Sequence, residues 1–439
     1  MLFDPARHEP LQSLEWDETR VRQFIARIVS QTEAQMNTDG LWPVHPNDGG
    51  GEDNPRSPLT PLYHGACGVA WALGYLEAVG AVKLQRDPLA HATSLRAMNR
   101  AWLEENDNSF FSAWMMGETP WLMLEYGHTP SKALADRLAE LIANNIDNPT
   151  RELMWGSPGT LLAASFLYER THDERWADLF RQTASQLASE LKWSEEHGCH
   201  YWTQDLYGGQ YTFLDGVHGF VGNALPLIRS RHLLDASSWS EWEGRIVNTL
   251  QRTVTLEDGM ANWRAFLTPP EGREPKMLMQ LCHGAPGFVV CLAHLPSHEL
   301  DPLLLAGGEA IWAAGPLTKG SNLCHGTGGN GTLFWCYISA QAISSGSSGL
   351  RLSRCMASHR PRPMRRRMGN CATRCGRAIS ASLSTCGTVC AAKRRFQLWM
   401  CSMALQADLH TLCGASACGG RSDAAAARIR AIACRCTTD

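Results

Sequence analysis

The chain has 439 residues, 44% of them hydrophobic and 8% aromatic, with a formal net charge of −3. That composition supports a packed core and excludes a highly charged, unfolding-prone chain. No run of 18 uncharged apolar residues occurs and Met1–Pro10 contains Asp4 and Glu9 without an apolar stretch, so no transmembrane segment and no secretory leader are expected.

A soluble, cytoplasmic protein follows from this, with cysteines that are reduced, buried or metal-bound. The average conceals a break near residue 350. Residues 351–439 hold 15 Arg and one Lys against three acids, and ten of the 16 Cys, whereas residues 1–350 carry a net charge of −16. Two regions are therefore expected, a folded domain over 1–350 and a basic, Cys-rich tail over 351–439 that is irregular or not natively folded.

In chain order, Val21, Phe24, Ile25, Ile28 and Val29 recur at helical spacing and predict a helix within residues 12–36, followed by a Gly-, Pro- and Asp-rich loop over 40–62. After that one unit repeats: an apolar-periodic helix, a glycine loop, and a second helix of small and large apolar residues. The loops lead with Gly65, Gly117, Gly156, Gly216, Gly284 and Gly326, 39 to 68 residues apart, which is room for a helical hairpin each time. Helices directly after the loops, such as 69–76 and 160–167, are apolar nearly all round and suit an inner ring. Those between, such as 131–142 and 175–184, have one apolar stripe and suit an outer ring. The prediction is an all-α fold, an α/α toroid in which six hairpins are recognisable and the glycine loops converge on one face. At Gly117 and Gly156, whose loops bring no obvious chemistry, the glycines read as helix C-caps. His64 reads as a packed loop histidine.

Two loops carry a thiol beside an imidazole, Cys282-His283 and Cys324-His325, in near-copies of one glycine-rich pattern 42 residues apart. Soft sulfur and imidazole donors in facing loops suit zinc. The four residues allow three readings: a closed Cys2His2 staple, three ligands with a vacancy for water or substrate, or no metal at all.

At these motifs the chain resembles the lanthionine synthetase C-like family over roughly residues 60–340. The resemblance rests on Val217-His-Gly-Phe-Val-Gly222, Cys282-His-Gly-Ala-Pro-Gly287, the stretch Ile311–Gly320 ending in Lys319-Gly320, and Leu323-Cys-His-Gly-Thr-Gly-Gly-Asn330. The Cys-His-Gly-Ala-Pro-Gly form and the Lys-Gly before the second Cys-His are most similar to the stand-alone LanC-like branch. The resemblance implies a seven-hairpin α/α toroid with one zinc ion, held by Cys282, Cys324 and His325, and a general acid/base at His218. His283 falls where the family has a His or Tyr lining the site. An acidic residue and an arginine are also implied near the metal. Neither maps onto one position, since Arg264, Arg273 and Lys276 compete for the latter.

The chemistry this implies is addition of a thiol, from a peptide Cys or from glutathione, to the β-carbon of dehydroalanine or dehydrobutyrine in a dehydrated peptide or protein. The metal lowers the thiol pKa, and an imidazole, His218 or His283, protonates the α-carbon. Lys319 is a candidate contact for the carboxylate of a thiol such as glutathione. Two other classes compete: a glycosidase, for which Glu118 and Asp215 are the loop carboxylates, and a non-catalytic protein whose zinc holds two loops for binding glutathione or peptide. No motif supports a nucleic-acid partner.

Beyond residue 350 the helical period stops where a seventh hairpin is due, the charge reverses and Cys is in excess. The cause expected from this coincidence is a shift of reading frame in the coding sequence near residues 343–352. Sequencing of the coding DNA is expected to reveal, in another frame, an apolar helical hairpin with a glycine loop; its absence from all frames rules the shift out.

Overall fold

The computed structural model describes residues 1–10, 17–44, 57–105, 110–272, 276–320 and 322–330. Arg273, the seventh hairpin and the tail from Arg351 lie outside the described residues. Within them, eleven α-helices and three small antiparallel β-hairpins follow in order. The predicted first helix is α1 (Glu18–Gln35), started by Asp17, whose carboxylate accepts from the Arg20 amide.

Five helices start directly from glycine loops: α2 (Ala66–Ala78), α4 (Thr119–His128), α6 (Ser157–Thr171), α8 (Phe220–Arg229) and α10 (Ala285–Leu292). A further helix begins at Thr327. All eight residues of α10 are buried, and α6 buries ten, among them Ser157, Thr160 and Ser165. Burial on every side is what their all-round apolar sequences require. The helices between them are α3 (Ala92–Glu105), α5 (Lys132–Ala143), α7 (Glu174–Ser189), α9 (Ala236–Thr253) and α11 (Asp301–Ala314). On α7 a single stripe is buried, Trp176, Phe180, Thr183 and Leu187, at spacings of three and four. Neighbouring inner helices touch (α2 with α4, α6 with α8, α8 with α10), and outer helices back onto them (α5 and α7 on α6, α9 on α8, α11 on α10). The result is the α/α toroid that the hairpin repeat predicts.

The glycine loops are joined edge to edge. Tyr63 N donates to Met115 O, Met115 N to Met154 O, Leu153 N to Val217 O, and Cys282 N to Cys324 O, all at 3.0 to 3.1 Å. Gly216 is pressed against Leu281 and Gly287. The first and sixth loops meet through Tyr63 and Cys324, so among the described residues the loops form a closed belt.

Glycine is required here mainly by crowding. A Cβ on Gly287 would lie 2.1 Å from the Leu281 carbonyl oxygen, and the same six-residue offset recurs for Gly159 with Leu153 and Gly329 with Leu323. Gly284 additionally has φ 109°, a region closed to most side chains. The C-cap expectation for Gly117 and Gly156 is corrected by this geometry. Gly156 is the N-cap of α6, and Gly117 immediately precedes the N-cap Glu118 of α4, because each loop feeds the start of an inner helix.

The β-hairpins were not expected. They are β1–β2 (Lys192–Ser194, Cys199–Tyr201), β3–β4 (Gln204–Leu206, Gly209–Tyr211) and β5–β6 (Val254–Glu257, Met260–Trp263). The last turns through Asp258-Gly259 with φ 51° and 76°, the dipeptide that a two-residue primed turn favours. Its outcome was legible; that of β3–β4, which turns through Tyr207-Gly208, was not.

Gly287→Ala is expected to cost about 3 kcal/mol of unfolding free energy. Gly74→Ala, inside α2 where an added Cβ meets nothing within 4 Å, is expected to add about 0.5–1 kcal/mol. Denaturant midpoints of the two variants check both signs.

Candidate functional site

The belt brings Cys282, Cys324 and His325 together, with their ligand atoms all within 4.8 Å of one another. Both thiols are buried and the imidazole is partly so. The Cys282 N to Cys324 O bond fixes the two loops in register, and Asn322 Oδ1 accepts from the His325 amide at 2.9 Å, curling the second loop so that its imidazole faces the thiols. The Tyr63 hydroxyl donates to Cys324 Sγ at 3.4 Å.

These contacts set the charge of the cluster. Cys324 is held well below the usual thiol range, first because Cys282 donates a hydrogen bond to it and further by His325 and Tyr63, which together outweigh burial. Cys282 is correspondingly pushed well above, by that same hydrogen bond and by burial, while the charge of Lys319 works the other way. Burial and then the Cys324 charge push the Tyr63 phenol up, so it stays a donor. Two sulfurs and one nitrogen at this spacing fit a tetrahedral soft metal such as zinc with one position remaining.

His283 is not part of that cluster. Its Nδ1 lies 2.7 Å from Asp215 Oδ2, and its ring stacks on Phe213 at 6.2 Å and 16°. Asp215 is fully buried, and its other oxygen accepts from the amides of Val217 and His218 at 3.0 and 2.7 Å.

His218 has a matching partner. Its Nδ1 lies 2.7 Å from Glu152 Oε2, and the fully buried Glu152 also accepts from the amides of Met154 and Trp155 at 3.0 and 2.5 Å. Burial alone would discourage the imidazolium, but the hydrogen bond to Glu152 and the charges of Glu152 and Asp215 outweigh it, so the His218 pKa is raised. In both pairs a carboxylate fixes Nδ1 and leaves Nε2 as the working nitrogen.

The other sequence candidates separate clearly. Lys319 is exposed, with its charge felt at Cys282. Arg264 and Lys276 are exposed. His64 is exposed beside Tyr63 rather than packed, because its loop's buried face is taken by Leu62 and Ala66. Glu118 is enclosed by Arg96, Arg100 and Arg137 at 3.2 to 3.8 Å, and Asp215 is bonded to His283, so the two loop carboxylates named for a glycosidase are each engaged by different basic partners.

Sequence reasoning missed Glu152, Tyr63 and Tyr207, and gave Asp215 no role at this site. One signal was available. Glu152, Asp215 and Asn322 each stand four residues before a loop glycine (Gly156, Gly219, Gly326), and each accepts the amide three residues on. Tyr207 lies edge-on to His218 at 6.0 Å from an otherwise distant hairpin, which no local pattern announces.

Among the described residues no helix is long and apolar enough to cross a membrane. A solved unsaturated glucuronyl hydrolase from Bacillus sp. GL1 is similar over 65% of this chain and 81% of its own, at 13% identity and a TM-score of 0.37. The zebrafish (Danio rerio) protein named glutathione S-transferase LANCL1 is 23% identical over 220 residues, 46% of this chain and 51% of the relative. The chain thus spans about half the length of the curated relative it matches. The family model described as lanthionine synthetase C-like protein matches residues 60–338, well over half of the chain and all of the loops that build the site. By that match the chain belongs to the lanthionine synthetase C-like family.

Proposed function

We propose that residues 1–350 form a zinc-dependent enzyme that adds a thiol to a dehydroalanine or dehydrobutyrine residue and leaves a thioether. One observation carries the reading: beside a two-thiol, one-imidazole cluster stand His283, next to Cys282 in the chain, and His218, within electrostatic reach of Cys324, each held by its own buried carboxylate. Cys282, Cys324 and His325 would hold the zinc, which when bound supplies a thiolate at neutral pH from a substrate thiol in the remaining position.

The rest of the chemistry belongs to the protein's own groups. The substrate thiol gives its proton up to solvent, the thiolate forms a bond to the β-carbon, the double-bond electrons move toward the carbonyl, and a proton must reach the α-carbon from a donor that solvent then recharges. His218 suits that transfer: Glu152 keeps it charged and orients its ring, so Nε2–H is the proton source. His283, tied to Asp215 and leaning on Phe213, serves as a donor or proton acceptor. Lys319 takes the carboxylate of a small thiol at the rim. The name of the zebrafish relative supports glutathione as that thiol.

The full-length protein is expected to bind about one zinc, and Cys282→Ala or Cys324→Ala to lose it, as read by metal analysis. The zinc form, incubated with glutathione and a dehydroalanine peptide, is expected to yield a peptide heavier by one glutathione. Chelation should abolish this. A zinc-loaded protein giving no such adduct and no thioether ring defeats the reading.

The pH dependence has a definite sign. His218 must be protonated to act, and its raised pKa carries the charged form to higher pH, so kcat is expected to fall on the alkaline side. Glu152→Gln removes the cause of the raised pKa and should move that limb to lower pH, whereas His218→Asn should lower kcat about 10²- to 10⁴-fold at unchanged zinc content. A limb that Glu152→Gln leaves in place argues that His218 is not the acid.

A further inference from the structure

We propose that the Trp155 indole N–H and the Tyr207 hydroxyl form a two-donor cradle for the acyl oxygen of the dehydroamino substrate, beside His218. The inference rests on the thiol-addition reading for its chemistry, and on separate observations for its location.

Trp155 stands in the loop that starts α6, its amide fixed by Glu152. The side chain is 8% exposed, and its indole nitrogen is buried with no hydrogen-bond partner. A buried donor left unpaired is costly, so such a group calls for an acceptor that arrives from outside. The Tyr207 oxygen lies within reach of the Trp155 indole although the pair is not an aligned hydrogen bond, and the hydroxyl donates to the weak acceptor Met154 Sδ at 4.0 Å. Neither donor therefore has a strong acceptor.

Their position is the second part. The Tyr207 ring is 6.0 Å from the His218 ring at 80°, and its hydroxyl is within electrostatic reach of both Glu152 and Cys324. The two donors thus lie on the His218 side of the thiol cluster. Tyr207 is also held there at a local cost. It occupies the first turn position of the β3–β4 hairpin with φ 52°, where Asn, Asp or Gly is favoured, and it is 67% exposed. Neither burial nor turn propensity accounts for a tyrosine at that place.

The chemistry supplies a use. As sulfur bonds to the β-carbon, the alkene pair becomes the α-carbon to carbonyl-carbon π bond and the carbonyl pair moves onto oxygen. The proton of His218 then goes to the α-carbon and the carbonyl re-forms. Negative charge resides on the acyl oxygen only between those events. Donors fixed beforehand at that oxygen stabilise the charge without reorganising, and no proton leaves them. The cradle also selects a substrate class, alkenes conjugated to an amide carbonyl.

The test uses full-length, zinc-loaded protein with ¹⁵N-labelled tryptophan. Of its 16 Trp, the indole resonance lost in Trp155→Phe identifies Trp155. Adding N-acetyl-dehydroalanine methylamide without glutathione should move that resonance downfield and saturably; a resonance that stays in place overturns the cradle. In turnover, Trp155→Phe and Tyr207→Phe should each lower kcat about 10²-fold, the effect of losing one such donor, with zinc content and the KM for glutathione unchanged. Addition that proceeds at full rate in both variants also overturns it. A resonance that moves in a protein that adds no thiol upholds the cradle and removes only the reaction.

Discussion

The structure depends on one backbone constraint, the near-contact between a glycine in the first turn of an inner helix and the loop carbonyl six residues before it. At Gly159, Gly287 and Gly329 there is no room for a Cβ. The loops can therefore fold flat against the starts of the inner helices and reach one another edge to edge. The Cys282 amide can bond to the Cys324 carbonyl only because both loops are this tight. Every inner helix then points its N-terminus at the belt, and the combined dipoles favour negative charge at that face. Thiolate and carboxylate are the groups found there.

The same loops explain how two carboxylates can be fully buried. Glu152 and Asp215 each accept two amides and one imidazole, so the lone pairs are satisfied without water. Glu118, in the equivalent region of the second loop, is satisfied instead by three arginines. Its charge is met by arginines that also pair with Glu104, Glu125 and Glu140, whereas those of Glu152 and Asp215 are handed to histidines. The belt thus has a structural side and a chemical side built from one repeat.

What the sequence could reveal follows from how local each feature is. The hairpin repeat, the inner and outer rings and the Cys-His loops are written in short patterns, and the fold and the three-donor cluster were readable from them. Residue spacing alone left a closed Cys2His2 site open. Asp215, whose second oxygen lies 2.7 Å from His283 Nδ1, holds that imidazole outside the three-donor cluster. Glu152 was within reach of a repeat-by-repeat reading, since it occupies the place of Asp215 four residues before the cap glycine. Tyr63, Trp155 and Tyr207 were not, because they meet the site across 261, 63 and 11 residues of chain respectively, through the ring rather than along it. The same holds for the N-terminal strap. His8 Nδ1 meets the Gly315 carbonyl and the Arg7 carbonyl accepts from Thr318 N, steadying the segment that carries Lys319. Asn262 ties this strap to the first thiol loop, donating to the carbonyls of Leu2 and Leu278 and accepting from the Ala285 amide.

The distinction between a staple and a catalyst is finally one of energetic need. A metal that only joins two loops requires donors and a dry surrounding, and the buried thiols with Tyr63 already provide them. Two buried carboxylate–imidazole pairs add nothing to that purpose, since well-packed apolar residues of similar volume serve stability as well or better. They do serve proton transfer, where an imidazole must be oriented and kept charged in a place that water does not fill. A purely structural centre leaves the carboxylate held against His218, the turn of His283 away from the thiols and the unpaired Trp155 donor as three unrelated costs. A reaction that forms a thiolate, moves a proton and develops charge on a carbonyl oxygen uses all three at once.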